Sequence, residues 1–305
     1  MHGRETLPEI DPPLEILDAF IATLHAVRCD FSLAPKKEHI ATCINYADLL
    51  EMRTEFVREL TNTVTAFVYS SEKQRQVVDA FKLEGRAESA AWAQLLKKAH
   101  QKFRRSSLQG QFCELLLSNL LQYYFKAAPL LRKMALTTNP ENERNGVDAI
   151  HVARVGGQYV LYIGEAKSYD RQRGALKAGL VDAIRDVHRH YRDHRSELNL
   201  YTFEDFLAPE LEQLARGYLA GTAQLEVQLV CIVAYDDKGM ESGANRDELL
   251  KSAIDRALQE ASNMSEHPVF KEIPANLMPR FNYIIFPIRE MDRVIKAFAE
   301  RIDHG

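Results

Sequence analysis

Residues 225–235, LEVQLVCIVAY, are apolar almost without a break. A strand with one wet face alternates polar and apolar positions, so an unbroken run marks a strand covered on both faces. Such a strand calls for a sheet with helices packed against it. Phe281–Pro287 is a second apolar strand, and helical segments surround both. Gly174–Leu198 places Leu176, Leu180, Val181, Ile184, Val187 and Tyr191 on one face at helical spacing. Leu211–Leu219, Arg246–Asn263 and Glu290–Ile302 are further helices.

The chain before residue 106 reads as mostly helical. Pro12-Pro13 opens an amphipathic helix over Leu14–Arg28, with Ile16, Leu17, Phe20, Ile21, Leu24 and Val27 at helical spacing. A second helix spans Tyr46–Leu60. Ser70-Ser71 ahead of Glu72 is an N-cap signal for a third, which carries Val77, Val78 and Phe81. Ala87–Arg105 turns Ala91, Trp92, Leu95, Leu96 and Phe103 inward. Gln109–Phe125 is the next helix, followed by a short strand at Lys133–Thr137 and a polar loop over Thr138–Gly146. Two regions result: a mostly helical one over 1–105 and a mixed α/β one over 106–305.

Composition narrows the function. With 305 residues, 46% hydrophobic and 27% charged, the chain fits a soluble globular protein with a sizeable core. The net charge of −4 argues against a cationic coat for nucleic acid, so any such contact needs a local basic patch or a partner. Cys29, Cys43, Cys113 and Cys231 lack zinc-ligand spacing. No apolar run is long enough to span a bilayer. The charged, proline-containing start is not a secretory segment, so a cytoplasmic location is expected.

Chemistry concentrates in residues 145–167, NGVDAIHVARVGGQYVLYIGEAK. Two β-branched and aromatic runs, Val147–Val155 and Gln158–Ala166, flank Gly156-Gly157, a two-residue hairpin signal. If Val155 faces Gln158, Asp148 falls opposite Glu165. Side chains alternate faces, so Lys167 joins them, above Ile150, Val152, Leu161 and Ile163. Two carboxylates, the outward carbonyl of Ala166 and water supply most of the hard-oxygen shell that Mg²⁺ requires, with Mn²⁺ as a substitute. Such an ion would polarise a phosphodiester, while Lys167 orients or deprotonates water or offsets phosphate charge. Glu114, in the preceding helix, could complete the site through a water or a second metal; solvent exposure is the plain alternative.

A bare acid-x-Lys triplet arises by chance about twice in a chain of this composition. A second copy, Asp236-Asp237-Lys238, lacks a hairpin partner acid and reads as a polar strand end. The plain alternative for the first copy is a structural ion pair. Adjacent acids repel unless a cation joins them, which favours the metal site. Downstream, Arg171, Arg173, Lys177, Arg185 and Arg189 make a basic face that could track phosphates, or simply a solvated helix face. His190 and His194, four apart, could in principle bind metal, but without a nearby carboxylate ligand they are expected to be solvated or phosphate-facing.

The order helix with Glu114, strand with Asp148, strand with Glu165-Ala166-Lys167, then helix resembles the PD-(D/E)xK nuclease superfamily over roughly residues 109–198. Val147 stands where the eponymous proline would be. Within that superfamily the chain is similar to the HamA family of nuclease subunits of Hachiman antiphage defence. The likeness is carried by Gly110-Gln111-Phe112-Cys113-Glu114, Gly146-Val147-Asp148 and Gly164-Glu165-Ala166-Lys167. It implies a restriction-endonuclease-like mixed sheet flanked by helices, a Mg²⁺-dependent deoxyribonuclease, DNA as target and a helicase partner subunit. There is no GxxxxGK[ST] motif, so ATP use would belong to that partner. The alternative is a non-catalytic adaptor that keeps the fold to bind a partner or nucleic acid.

Overall fold

The computed structural model describes residues 14–15, 18–134, 146–170, 174–201, 209–239, 243–262 and 264–304. The chain runs through α1 (Asp18–Ala22), β1 (Leu24–Cys29), β2 (His39–Ile44), β3 (Tyr46–Ala47) and β4 (Leu50–Glu51). Four helices follow: α2 (Arg53–Asn62), α3 (Val64–Val68), α4 (Ser71–Leu83) and α5 (Glu88–His100). Next come α6 (Leu108–Phe125), β5 (Ala128–Pro129), β6 (Ala149–Val155), β7 (Gln158–Tyr169) and α7 (Ala175–Tyr201). The chain ends through α8 (Pro209–Ala220), β8 (Glu226–Asp236), α9 (Arg246–Ala261), β9 (Phe281–Ile288) and α10 (Met291–His304).

Seven strands form one mixed sheet in the order β1-β2-β9-β8-β7-β6-β5; β3 and β4 make a separate ribbon. The four central strands pair in parallel, β2 with β9, β9 with β8 and β8 with β7. Antiparallel strands complete both flanks, β1 on one side and β6 then β5 on the other. β9, last in sequence, joins the β1–β2 pair to the rest of the sheet.

Each face of the sheet carries its own core. Ile150, Val152, Leu161, Ile163, Leu229 and Val233 meet Leu176, Leu180, Ile184 and Val187 of α7. On the opposite face Val230, Ile232, Ile284 and Phe286 meet Phe56 of α2, Phe112 and Leu116 of α6 and Phe298 of α10. Burial on both sides explains the unbroken apolar run of β8. α4 and α5 enclose a small cluster of their own around Val78, Phe81, Ala91 and Leu95.

The mixed sheet and its flanking helices agree with the expected class, but the first sixty residues differ from expectation. The Leu14–Arg28 helix is cut short: α1 ends at Ala22, and Leu24–Cys29 pairs with His39–Ile44 as strand. Leu24 and Val27 fit either period, and partner strand β2 decides between them. Residues 16 and 17 lie outside the described residues. The Tyr46–Leu60 helix begins only at Arg53, because residues 46–51 fold into the β3–β4 ribbon with Asp48 at φ 56°. Ser70 does cap α4, its side chain accepting the Lys73 N–H at 3.2 Å. α5 stops at His100, and Trp92 is 43% exposed rather than inward. The strand placed at Lys133–Thr137 and the loop after it fall mostly on residues outside those described; β5 lies earlier, at Ala128–Pro129.

Candidate active site

The β6–β7 hairpin has the register its turn demands. Val155 pairs with Gln158 and Ala149 with Gly164, around Gly156 and Gly157 at φ 57° and 82°. The backbone ladder stops at Ala149. Asp148 continues it with its side chain, Oδ2 accepting the Ala166 N–H at 3.0 Å. A strand residue turns its N–H and C=O to the same neighbour. The Ala166 carbonyl therefore faces the same gap as Asp148.

Two close approaches bring helices onto this strand end. At Gly164 an added Cβ would lie 2.9 Å from Leu117 Cδ2, so the missing side chain lets α6 settle on the sheet. That seat brings Glu114 toward Asp148. On the other face Glu197 of α7 accepts the Val147 N–H at 2.8 Å. Gly146 makes room for it, at φ 144° and with its would-be Cβ 2.9 Å from Glu197 Oε2.

Glu165 is 3% exposed. Its Oε1 accepts from Lys167 Nζ at 2.8 Å, and its Oε2 lies 3.0 Å from His190 Nδ1. Lys167 also reaches Asp186 Oδ2 at 2.7 Å. Lys133 Nζ sits 3.2 Å from Asp148 Oδ1 and 3.5 Å from Glu114 Oε1. Burial, then the Asp148 charge, raises the Glu165 carboxyl against the pull of His190 and Lys167. The same two causes push Glu114 up to about 7. For Lys167 burial favours the neutral amine, but Glu165 and Asp186 outweigh it and hold the ammonium above its ordinary value. His190 follows suit: burial lowers it, and the bond to Glu165 raises it further.

These groups line a cleft of about 840 Å³ that also takes in Arg189, Asp193 and Glu197. Among the described residues six carboxylates face it, against the cations Lys133, Lys167 and Arg189 and the imidazole of His190. Among the described residues no three His, Cys, Asp or Glu side chains are set to hold a metal by themselves. A divalent ion here would be shared by Asp148, Glu165, the Ala166 carbonyl and water. That all-oxygen set, with repelling acids at its centre, fits magnesium or manganese chemistry.

A profile of the HamA family matches residues 18–302, from α1 to α10. The chain belongs to the HamA family. A search of curated proteins found no significant match. The HamA match bears out the closer of the two resemblances at the family level, and with it a part in Hachiman defence.

In this HamA-family chain the structure brings Asp148, Glu165, Lys167 and Glu114 together, with Ala166 between. Of the basic face, Arg189 lines the cleft and is paired with Asp186 at 2.8 Å. Arg185 is exposed and bound to Glu272 at 2.7 Å, and Lys177 is half-buried. Arg171 and Arg173 lie outside the described residues. Asp236-Asp237-Lys238 is the polar strand end expected of it: Asp237 holds Arg256 at 2.6 Å, and Asp236 accepts the Met291 N–H at the start of α10. The two histidines require correction. Neither faces solvent: His190 is 8% exposed against Glu165, and His194 is 5% exposed with Nε2 2.7 Å from Tyr218 Oη. The carboxylate missing from the local sequence comes from a strand 25 residues away. Lys133, Asp186 and Glu197 are the other members that sequence reasoning missed. For Asp186 and Glu197 a signal existed, since they share the helical face of His190.

Proposed function

We propose that this cleft hydrolyses phosphodiester bonds in DNA with a divalent cation, Mg²⁺ or in its place Mn²⁺. The chain would then be the nuclease subunit of a Hachiman complex that acts with a helicase subunit. The observation that carries this reading is the excess of carboxylates, among the described residues, around a nearly inaccessible Glu165. A phosphodiester would be repelled from such a cleft, and acids so placed are stable as anions only beside added positive charge. When bound, the divalent ion supplies Lewis-acid polarisation of the scissile phosphate. Asp148, Glu165 and the Ala166 carbonyl are the groups that would hold it. Lys167 stays protonated between Glu165 and Asp186, which supports a role as hydrogen-bond donor to phosphate or water rather than as base. Arg189, on the cleft wall and paired with Asp186, would meet the flanking phosphate.

With a net charge of −4, the chain needs a partner for much of its DNA affinity. A non-catalytic adaptor would gain nothing from burying Glu165 beside Asp148, which costs stability. The test is plasmid DNA incubated with the protein, with and without the helicase, in Mg²⁺ or EDTA. Cleavage in Mg²⁺ is expected to vanish in EDTA and to fall at least ~100-fold in Glu165→Ala and Lys167→Ala. Cleavage that survives chelation, or both substitutions, would sink the proposal. Normal partner binding without any cleavage would favour the adaptor.

A further inference from the structure

Lys133 is the one cleft cation among the described residues that comes from neither the hairpin nor α7. It follows β5, and its side chain is 14% exposed with Nζ between Asp148 Oδ1 and Glu114 Oε1. Asp148 thus divides the cleft into two positions. One lies toward Glu165 and the Ala166 carbonyl, on the side of Oδ2; the other lies toward Glu114 and is filled by the lysine. Two-metal phosphodiester sites hold ions about 3.5–4 Å apart, a spacing that a carboxylate can bridge with its two oxygens. Here both oxygens of Asp148 are engaged, Oδ2 by the neutral Ala166 N–H, which leaves that side open to a cation, and Oδ1 by the Lys133 ammonium, which already stands in a cation's place.

We propose that Lys133 occupies the second cation position, so that the cleft takes a single divalent ion, between Asp148, Glu165 and the Ala166 carbonyl. This rests on the reading of the cleft as a divalent-cation site. A covalently attached ammonium relieves the repulsion between Glu114 and Asp148 as a second ion would. Unlike that ion it cannot dissociate, and its charge opposes entry of a second cation between the same two acids. Glu114 then acts on the bound ion only indirectly, as a positioning residue that anchors Lys133.

Manganese binding to the full chain tests this without any cleavage readout. Calorimetry and electron paramagnetic resonance are expected to give one Mn²⁺ per wild-type chain with an uncoupled signal. Lys133→Met is expected to take two, with the spectrum broadened by the neighbouring spin. Lys133→Met combined with Glu114→Gln should return to one, and Lys133→Arg should stay at one. Two ions in the wild type, or one ion with an unchanged spectrum in a folded Lys133→Met, would overturn the role of Lys133 and leave the cation site standing. No Mn²⁺ bound by the wild type would overturn both. Circular dichroism checks folding, and Lys133→Gln replaces the Met variant if that one does not fold.

Discussion

Glu114 shows how the cleft sets the behaviour of a single side chain. Burial and the Asp148 charge raise its carboxyl to about 7, against about 4.3 in an unfolded chain. Between those values the folded protein holds a proton that the unfolded chain has released. Stability in the absence of metal therefore falls as pH rises through that window, by on the order of 1 kcal/mol per unit from this group. Glu114→Gln is expected to flatten the fall, as read from urea unfolding at pH 5 and pH 7.5 in EDTA. An unchanged slope would assign the effect elsewhere. Asp148 and Glu165 were legible as a pair because a two-residue turn and a side-chain period of two leave one register. Lys133 was not: its segment reads as the start of a short strand, whereas the residue lies in a turn after β5 and meets its partners only through the fold.

Among the elements, α7 does most to shape the cleft. Asp186, His190 and Glu197 are four and seven residues apart, so all three lie on one face of the helix. That face holds Lys167, Glu165 and the Val147 N–H respectively. Removing one fastening should disturb the site without touching the reacting groups. Glu197→Ala leaves the Val147 N–H unpaired and is expected to cost about 1–3 kcal/mol in chemical denaturation. Cleavage should fall ~10–100-fold, and Glu197→Gln, which keeps an accepting oxygen, should restore most of both. Equal loss in the two variants would mean that charge, not the hydrogen bond, matters there. The apolar period of α7 was plain in the sequence, but the partners of its polar face were not, because they are made across the sheet. β1 was misread for a related reason: its six residues carry too little pattern to outweigh a helical start.

At the scale of the molecule, the layered order of helix, sheet and helix follows from the apolar runs of β8 and β9. The strand order does not, because parallel pairing joins segments far apart in the chain and leaves no local signature. Protection should follow the sheet: amides of β7, β8 and β9, paired on both sides, are expected to exchange most slowly with deuterium. Those of β1 and β5, at its margins, should exchange sooner. Fast exchange in β9 would contradict the central place given to it.

That place has a consequence for how the protein is made. Asp148, Glu165 and Lys167 leave the ribosome long before Phe281–Ile288, yet until that strand arrives β8 lacks one neighbour and β1–β2 have no sheet to join. A nascent or prematurely terminated chain therefore carries every residue of the cleft on an unfinished scaffold with open apolar edges, a species suited to capture by chaperones or proteases. The last strand thereby acts as a late check on assembly, since the scaffold under the cleft closes only once Phe281–Ile288 is in place.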